Sequence, residues 1–258
     1  MKRLMIICVL LPLFAFSSNI INEREQHFKQ GISAYANENY ALAIELFHQL
    51  EAEQLVSWEL YYNLGNCYYR QAELGRAIQY WEKAKILAPI HSDIEYNLSI
   101  ARERLIDKVV LPDTFPLFTW YNTMQRYLPL NITIRIIGIF LMLFVLILGG
   151  YRLYARKTER SYKGICITLG SLFLSVILLL TIVTIDTAQK RSHEKRAVIL
   201  EESVILSEPA DDATVLFILH EGSTILINKD IENEWANISY FDDKIGWIRM
   251  KYLGKIES

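Results

Sequence analysis

Polar and apolar residues follow three different patterns along this chain of 258 residues. Residues 24–107 have apolar positions spaced for amphipathic helices, and residues 197–256 have short β-branched and aromatic runs that break at turns. Between them lie two long apolar runs, residues 132–151 and 164–185, each long enough to span a bilayer as a helix. The pattern predicts a multidomain membrane protein with an all-α domain, a two-helix transmembrane hairpin and a small all-β domain.

The N-terminus carries a shorter apolar run of its own. Residues 1–17 begin with Lys2 and Arg3, continue with an apolar core, and end on small residues at the two positions that a signal peptidase reads. A run of this size makes roughly 20 Å of helix, which is too short for a bilayer core of about 30 Å. We expect a signal peptide, with an uncleaved anchor as the alternative. Either one places the next segment outside the cytoplasm.

Positive charge around the apolar runs predicts their orientation. The loop at residues 152–163 carries five Lys or Arg residues against Glu159 alone, and short basic loops stay in the cytoplasm. A second basic cluster, residues 190–196, follows the second run, so charge favours this orientation only modestly. Aromatic residues in the juxtamembrane segment 108–131 indicate an approach to the membrane interface, with a surface loop as the alternative. Both soluble domains are expected on the same, outer side.

A period of 34 residues organises the helical domain. Residues 58–91 carry bulky, small, aromatic and proline positions in the order and spacing of a tetratricopeptide repeat, which the segment resembles: Trp58, Tyr61, Leu64, Gly65, Tyr68, Ala77, Trp81, Ala84 and Pro89. One period earlier, residues 24–57 form a degenerate first repeat that keeps Gly31, Ala43 and Phe47. Residues 93–107 are expected to form a capping helix. Such repeats act as interaction surfaces.

The concave face of a repeat stack is formed by first-helix residues that the seam does not use. The predicted peptide-groove residues are Phe28, Tyr35, Tyr62, Asn63, Asn66, Tyr69 and Arg70. Side-chain amides can bond a peptide backbone, and Arg70 can pair with a carboxylate. We expect an extended peptide to bind here. The alternative is that some of these tyrosines only pack against the capping helix.

The β pattern of residues 197–256 comprises six short strands, which predicts a compact barrel. A proline after an early strand, then His220-Glu221-Gly222, and finally Gly246-Trp247-Ile248 resemble the bacterial SH3-like barrel. Trp235 and Trp247 are candidate surface residues that could stack on sugar or proline, with core packing as the alternative for at least one. Residues 197–258 carry twelve acids against five bases, which weakens attraction to anionic lipid or nucleic acid.

Composition and the missing motifs argue against several function classes. Hydrophobic residues make up 52% of the chain, the net charge is −2, and no basic run is long enough for a nucleic-acid surface. The three cysteines are scattered, and the sequence has no phosphate loop, nucleophile elbow or metal-spaced histidine pair. We therefore expect no catalysis, no cofactor and no metal.

The order of domains resembles the BatE family of the bacterial Bat (aerotolerance) operon. The stretch from Glu95 to Arg104, followed by Asp107-Lys108, is similar to that family's segment between repeats and membrane. The barrel departs from the usual pattern at residues 206–209, which lack a basic residue three positions before the proline. The spans, their flanking charges and the signal peptide predict a two-pass inner-membrane protein with both soluble domains in the periplasm, and the resemblance implies a cell-envelope complex. It also implies Bat-operon subunits as partners and a link to oxidative stress tolerance.

These observations predict a non-enzymatic inner-membrane scaffold that binds partner proteins through a periplasmic tetratricopeptide groove. The alternative is a peptidoglycan-binding envelope sensor that uses the SH3-like domain. The surplus of acids in that domain argues against the alternative.

Overall fold

The computed structural model describes residues 23–107, 130–155, 163–193, 195–231, 234–241 and 244–256. The chain divides into two compact units, one formed by Met1–Val110 together with Lys195–Ser258 and the other by Leu111–Glu194. The first unit thus joins the N-terminal helices to the C-terminal strands. The predicted signal peptide, nearly all of the juxtamembrane segment and most of the basic loop lie outside the described residues.

Five consecutive helices form the N-terminal part of the first unit. They are α1 (residues 23–36), α2 (Tyr40–Ala52), α3 (Trp58–Arg70), α4 (Leu74–Leu87) and α5 (Ser92–Glu103). From α2 to α5, each helix packs against the next along the chain. The pairs α1–α2 and α3–α4 stand where the two repeats are predicted, and α5 stands where the capping helix is predicted.

The two helix pairs are closed by the same contact between a glycine and an aromatic ring. A Cβ atom on Gly65 would lie 2.5 Å from Cδ1 of Trp81, and one on Gly31 would lie 2.5 Å from Cε1 of Phe47. Both aromatic side chains are buried. The pairs 31–47 and 65–81 are separated by one repeat length of 34 residues. The degenerate first repeat therefore keeps the contact that sets the distance between its helices.

Polar caps and left-handed turn residues fix the ends of these helices. Ser57 Oγ accepts a hydrogen bond from the backbone N–H of Leu60 at 3.1 Å at the start of α3, and Asn39 Oδ1 accepts one from Leu42 at the start of α2. The turns after α1, α2 and α3 each contain one non-glycine residue with φ between 60° and 64°: Glu38, Gln54 and Ala72. These residues end each helix and reverse the chain direction, so that the next helix can pack against the one before it.

The C-terminal part is one antiparallel sheet of seven strands. The strands are β1 (Lys195–Ile199), β2 (Ser203–Leu206), β3 (Val215–Leu219), β4 (Thr224–Ile231), β5 (Trp235–Tyr240), β6 (Lys244–Arg249) and β7 (Leu253–Lys255). Their order is β3-β2-β6-β5-β4-β1-β7. The six strands predicted from the sequence are all present: β2, β3 and β5 have the predicted ends, the other three have shifted ends, and β7 is additional.

Strand alternation builds the sheet core. On β4, Ile225 and Ile227 are buried while Leu226 between them is exposed, because successive side chains point to opposite faces. The inward positions of the other strands join them in one cluster that includes Ala197, Ile199, Ile205, Ala236, Ile238 and Ile248.

The sheet packs directly against α4, the second helix of the second repeat. Val198 of β1 and Ile256 after β7 are buried in the apolar cluster of the repeats. Gly75 permits this approach, because a Cβ atom there would lie 2.6 Å from the carbonyl oxygen of Ile199. A Cβ atom on Gly254 would lie 2.5 Å from the side chain of Gln79. The helical and β parts therefore share an apolar interface, which the sequence did not predict.

Hydrogen bonds tie α4 to the sheet at two points. The backbone N–H of Gly75 donates to Glu221 Oε1 at 2.7 Å, and Gln79 Nε2 donates to the carbonyl oxygen of Lys255 at 3.1 Å. Both bonds cross from the repeats to the sheet, so they restrict how the sheet can be oriented on the helix.

A third polar contact lies just beyond the end of α5. The carboxylate of Asp107 accepts hydrogen bonds from the backbone N–H of His220 at 2.7 Å and from Ser223 Oγ at 2.8 Å, and His220 Nδ1 lies 3.0 Å from it. Burial raises the pKa of this carboxyl, but the bonds from His220 and Ser223 outweigh burial, so the pKa falls below its usual value. Asp107 is therefore charged at neutral pH and holds the turn between β3 and β4.

The described part of the second unit consists of two long helices, α6 (Leu130–Ala155) and α7 (Lys163–His193), which pack against each other. The rings of Phe140 and Phe173 lie 5.6 Å apart in this contact. Among the described helices, one stretch is long and apolar enough to cross a membrane: Ile132–Tyr151, with mean hydropathy 2.7. The apolar stretch of α7, Gly170–Asp186, is shorter. The predicted first span thus has a structural counterpart, and the second span, residues 164–185, stays a prediction.

Candidate functional site

A cavity of about 290 Å³ lies between α1, α3, α4 and α5. We call it the groove. Its lining residues are Tyr35 from α1, Tyr62, Asn66, Tyr69 and Arg70 from α3, Trp81 from α4, and Asn97 and Ile100 from α5. The two first helices of the repeats and the capping helix thus supply most of its surface.

Aromatic rings form the walls of the groove. The ring centroids of Tyr69 and Trp81 lie 5.4 Å apart, and those of Tyr35 and Tyr40 lie 5.4 Å apart in an edge-to-face arrangement. Trp81 is held rigidly because it also closes the repeat against Gly65. Large rings held in place present apolar area to a ligand at a small entropy cost.

Two side-chain amides stand beside these walls. Asn66 Oδ1 accepts hydrogen bonds from Trp81 Nε1 at 3.1 Å and from Asn97 Nδ2 at 2.9 Å. Asn97 Nδ2 also lies 3.3 Å from the hydroxyl of Tyr62. Because its oxygen already accepts two hydrogen bonds, Asn66 has its amide nitrogen left to donate to a ligand. The network therefore fixes both the position and the orientation of a hydrogen-bond donor.

Two guanidinium groups flank the groove. Arg70 Cζ lies 5.1 Å from the ring centroid of Tyr40, and Arg104 Cζ lies 5.1 Å from that of Tyr69. Arg70 is exposed and lines the groove itself. Stacking on an aromatic ring holds a guanidinium in place without using its N–H donors. The charge of this region favours a carboxylate-bearing ligand.

The protonation states of two groups in this region follow from burial. Burial raises the pKa of Tyr35, and the nearby charge of Arg70 offsets this only in part. The phenol therefore stays protonated at neutral pH. Burial also raises the pKa of Cys67 on α3 to about 12. That thiol is buried and protonated, which makes it a poor nucleophile.

The structure brings five of the seven predicted groove residues together: Tyr35, Tyr62, Asn66, Tyr69 and Arg70. The other two lie outside the lining. Phe28 packs with its ring 5.6 Å from that of Phe47, and Asn63 donates to the carbonyl oxygen of Glu59 one turn earlier at 2.8 Å. These two side chains serve the fold of the helices that carry them.

Sequence reasoning missed the contribution of α5. The signal was available in the repeat period, because adding 34 to positions 63, 66 and 70 gives Asn97, Ile100 and Arg104. The capping helix thus repeats the residue spacing of a first helix, and two of these three residues, Asn97 and Ile100, line the groove. Arg104 occupies the position equivalent to Arg70 and stacks on Tyr69 as Arg70 stacks on Tyr40.

The two tryptophans of the sheet differ in exposure. Trp235 is only 7% exposed, and Arg249 Cζ lies 4.6 Å from the centroid of its ring. Trp247 on β6 is half-buried. Trp235 therefore offers little surface to a ligand, and Trp247 is the better candidate of the pair.

Ionisable groups outside the groove cluster where α2, α3 and α4 meet. Glu51 contacts His48 Nδ1 at 2.9 Å, accepts from the Tyr80 hydroxyl at 3.2 Å and pairs with Lys83 Nζ at 3.2 Å, while His48 Nε2 lies 2.7 Å from the Tyr68 hydroxyl. Burial alone would raise the pKa of Glu51, but the bond to His48 and the charge of Lys83 lower it to about 2. Within the described part of the chain, no group of three or more His, Cys, Asp or Glu residues is placed to hold a metal ion.

Comparison with protein families agrees with this geometry. Residues 28–89 match the family model described as "Tetratricopeptide repeat". The match covers the second half of α1 and all of α2, α3 and α4. The chain therefore contains tetratricopeptide repeats, whose general role is to bind other proteins. No curated protein matches the chain.

Proposed function

We propose that this protein is a non-enzymatic membrane scaffold whose groove binds an extended, acidic segment of a partner protein. The observation that carries the proposal is the groove itself, where aromatic walls, a fixed amide donor and an exposed arginine converge. No covalent chemistry is required of such a site, because tethering partners together already raises their local concentration.

Each component of the groove has a counterpart in an extended peptide. The amide nitrogen of Asn66 can donate to a backbone carbonyl of the ligand, and the faces of Tyr35 and Tyr69 can cover its apolar side chains. Arg70 and Arg104 can pair with an acidic side chain or a free C-terminal carboxylate. Hydrogen bonds thus give register, and charge gives selectivity.

A membrane hairpin fits the way the first unit is assembled. Asp107 before the apolar helices bonds to His220 and Ser223 after them. The two ends of the apolar segment therefore belong to one folded unit, which supports placing both on the same side of the membrane. A chain that leaves a membrane face and returns to it crosses an even number of times. If Ile132–Tyr151 is one span, we infer that α7 provides the second.

The SH3-like assignment and the cellular context belong to the same proposal. Seven short antiparallel strands around a single aliphatic cluster support a small barrel of the SH3-like kind. The order of domains and its resemblance to the BatE family support an inner-membrane location with both domains in the periplasm. They also support Bat-operon subunits as partners and a link to oxidative stress tolerance.

Peptide binding tests the groove directly. Full-length protein in detergent micelles would be applied to an array of acidic octapeptides, each matched with a copy in which amides replace the carboxylates and the C-terminus is amidated. We expect the wild type to retain a subset of the acidic peptides and none of their amide copies. We expect Arg70→Ala and Asn66→Ala each to weaken that binding about tenfold, as loss of a hydrogen bond to a charged or buried group does.

Lys29→Ala is the matched control for Arg70→Ala, because the side chain of Lys29 is 73% exposed on α1 and pairs with Glu25 on its own helix. It should leave peptide retention unchanged. Retention that is equal for the wild type, Arg70→Ala and Asn66→Ala, or no retention of any acidic peptide, would contradict the proposal.

Peptidoglycan binding by the sheet, the alternative function, has less support. Trp235 is covered by Arg249, so a stacking surface of two tryptophans is not formed. We expect the full-length protein to co-sediment with purified cell wall no more than its Trp247→Ala variant does. A marked loss of co-sedimentation in that variant would favour the alternative.

A further inference from the structure

The capping helix α5 belongs to the groove and to the interface with the sheet at the same time. At the groove, Asn97 donates to Asn66 at 2.9 Å, and Ile100 lines the wall one turn later. Arg104, directly after the helix, stacks on Tyr69. Any movement of the last turn of α5 therefore changes the shape and the charge of the groove.

Two sets of contacts anchor the helix. Ile94, Leu98 and Ala101 are fully buried in the repeat core and hold α5 on α4 into its last turn. Beyond Arg104, the chain is held by the sheet. Leu105 contacts Gly222, and Asp107 binds the same turn through its carboxylate. A helix of 12 residues has little stability of its own, so its last turn depends on these contacts.

A buried carboxylate links α4, α5 and the first strand of the sheet. Glu82 on α4 is 4% exposed, and its oxygens lie 2.6 Å from Arg102 on α5 and 3.8 Å from Arg196 on β1. One charge thus contacts the capping helix and the first strand of the sheet together. If the sheet moves away, Arg196 leaves Glu82, and the buried carboxylate beside Arg102 becomes accessible to water.

The conformation of the turn between β3 and β4 allows Asp107 and Leu105 to pack against it. Gly222 has φ of +87°, a conformation that glycine adopts without strain, and it leaves room for the side chains of Leu105 and Ile78. Glu221, the preceding residue, binds Gly75 at the start of α4. The turn between β3 and β4 therefore contacts both α4 and the segment after α5.

We propose that docking of the sheet on the repeats fixes α5 and thereby sets the affinity of the groove for its ligand. This inference rests on the proposed function for its ligand but not for its mechanical part. Because coupling between two equilibria is reciprocal, a peptide in the groove also strengthens docking of the sheet. The sheet thus acts as an intramolecular partner that regulates the groove.

Hydrogen exchange on the full-length protein in detergent tests the mechanical part without any ligand. Asp107→Ala removes the contact at the end of α5. The double variant Gln79→Ala/Glu221→Ala removes the two described hydrogen bonds between the sheet and α4, and neither residue lies on α5. We expect amides 101–104 to exchange about tenfold faster in both variants, within the usual range of coupling, while amides of α3 keep their rate.

Asp211→Ala is the matched control, because it breaks an ion pair with Arg249 that lies within the sheet. It should leave exchange of α5 unchanged. If amides 101–104 exchange at the wild-type rate in the Gln79→Ala/Glu221→Ala variant, docking does not hold α5 and the inference is wrong. Faster exchange in Asp107→Ala but not in the double variant would also contradict the inference, because Asp107 would then act only as a local cap at the end of α5.

The functional part uses an acidic octapeptide that the wild type retains on the array. Its affinity should fall about tenfold in both undocked variants and stay unchanged in Asp211→Ala. Unchanged affinity in the undocked variants would overturn the link to the groove. Failure to find any retained peptide would instead refute the proposed function, while the exchange result would still decide whether the sheet holds α5.

Discussion

Single residues set the distance between the helices of each repeat. Gly65 lies against the indole of Trp81, and that indole donates to Asn66 in the groove. The same ring thus closes the repeat and orients a ligand-binding amide. The period and residue types in the sequence were enough to predict this contact, because it depends on residue size at fixed spacing.

Gly65→Ala should destabilise the protein and disturb the groove together. The added methyl group would start 2.5 Å from the Trp81 ring, which would have to move although it is 2% exposed and closely packed against the helix pair. We expect a loss of about 1–3 kcal/mol in the free energy of unfolding, as for other overpacked cores. Thermal or denaturant unfolding of the full-length protein in detergent measures it. Gln49→Ala, at an exposed helical position, should change stability by less than about 0.5 kcal/mol.

Glu51 should make stability depend on pH in the acid range. Its pKa is about 2 in the folded protein, against 4.5 for a glutamate without interactions. A lowered folded-state pKa means that the stabilisation is complete above about pH 4.5 and is lost as the pH falls towards 2. Because the side chain is partly exposed, we expect a contribution on the order of 2 kcal/mol rather than the full value of the shift.

The measurement is the denaturation midpoint of wild type and Glu51→Gln between pH 6 and pH 2.5. The variant should be less stable at pH 6 and should approach the wild type at the acid end. A constant difference across the range would mean that Glu51 contributes by packing and not by charge.

At the scale of elements, helical periodicity and short β-branched strands are local properties, and the sequence predicted both. The six predicted strands reappear within a few residues, because β-branched and aromatic runs end at polar turns. The strand β7 was missed because it has only three residues and directly follows a short 3₁₀ turn, Met250–Tyr252. The groove residues on α5 were missed because candidates were taken only from the first helices of the two repeats.

The start of α3 offers a test at this scale. Ser57 accepts from the N–H of Leu60, which satisfies one of the free donors at the helix start. Ser57→Ala should lower the free energy of unfolding by about 1 kcal/mol, and Ser57→Asp should restore most of it because Asp is an equally good cap. Equal stability of the alanine and aspartate variants would show that the cap does not contribute to the free energy of unfolding.

At the scale of the whole molecule, the main finding is that the sheet and the repeats form one unit although more than eighty residues separate them along the chain. The sequence could not predict this. Contacts such as Asp107 with His220 join residues 113 positions apart, and no periodicity or local propensity reports such pairs. Three small residues at the interface, Gly75, Gly222 and Gly254, are recognisable as close contacts only once both surfaces are known.

This arrangement makes the topology testable with single cysteines. The test uses three single-cysteine variants of a chain whose own three cysteines are replaced: Glu45→Cys on α2, Asp212→Cys in the turn before β3, and Arg156→Cys between the apolar helices. Each variant is treated with a membrane-impermeant maleimide. The cells are intact except for a permeabilised outer membrane. The first two positions report on the two parts of the first unit, and both are exposed.

We expect Glu45→Cys and Asp212→Cys both to be labelled, and Arg156→Cys to be labelled only after the inner membrane is lysed. Labelling of Glu45→Cys without Asp212→Cys, or the reverse, would place the repeats and the sheet on opposite sides of the membrane. That result would contradict the shared interface, and with it the regulated groove.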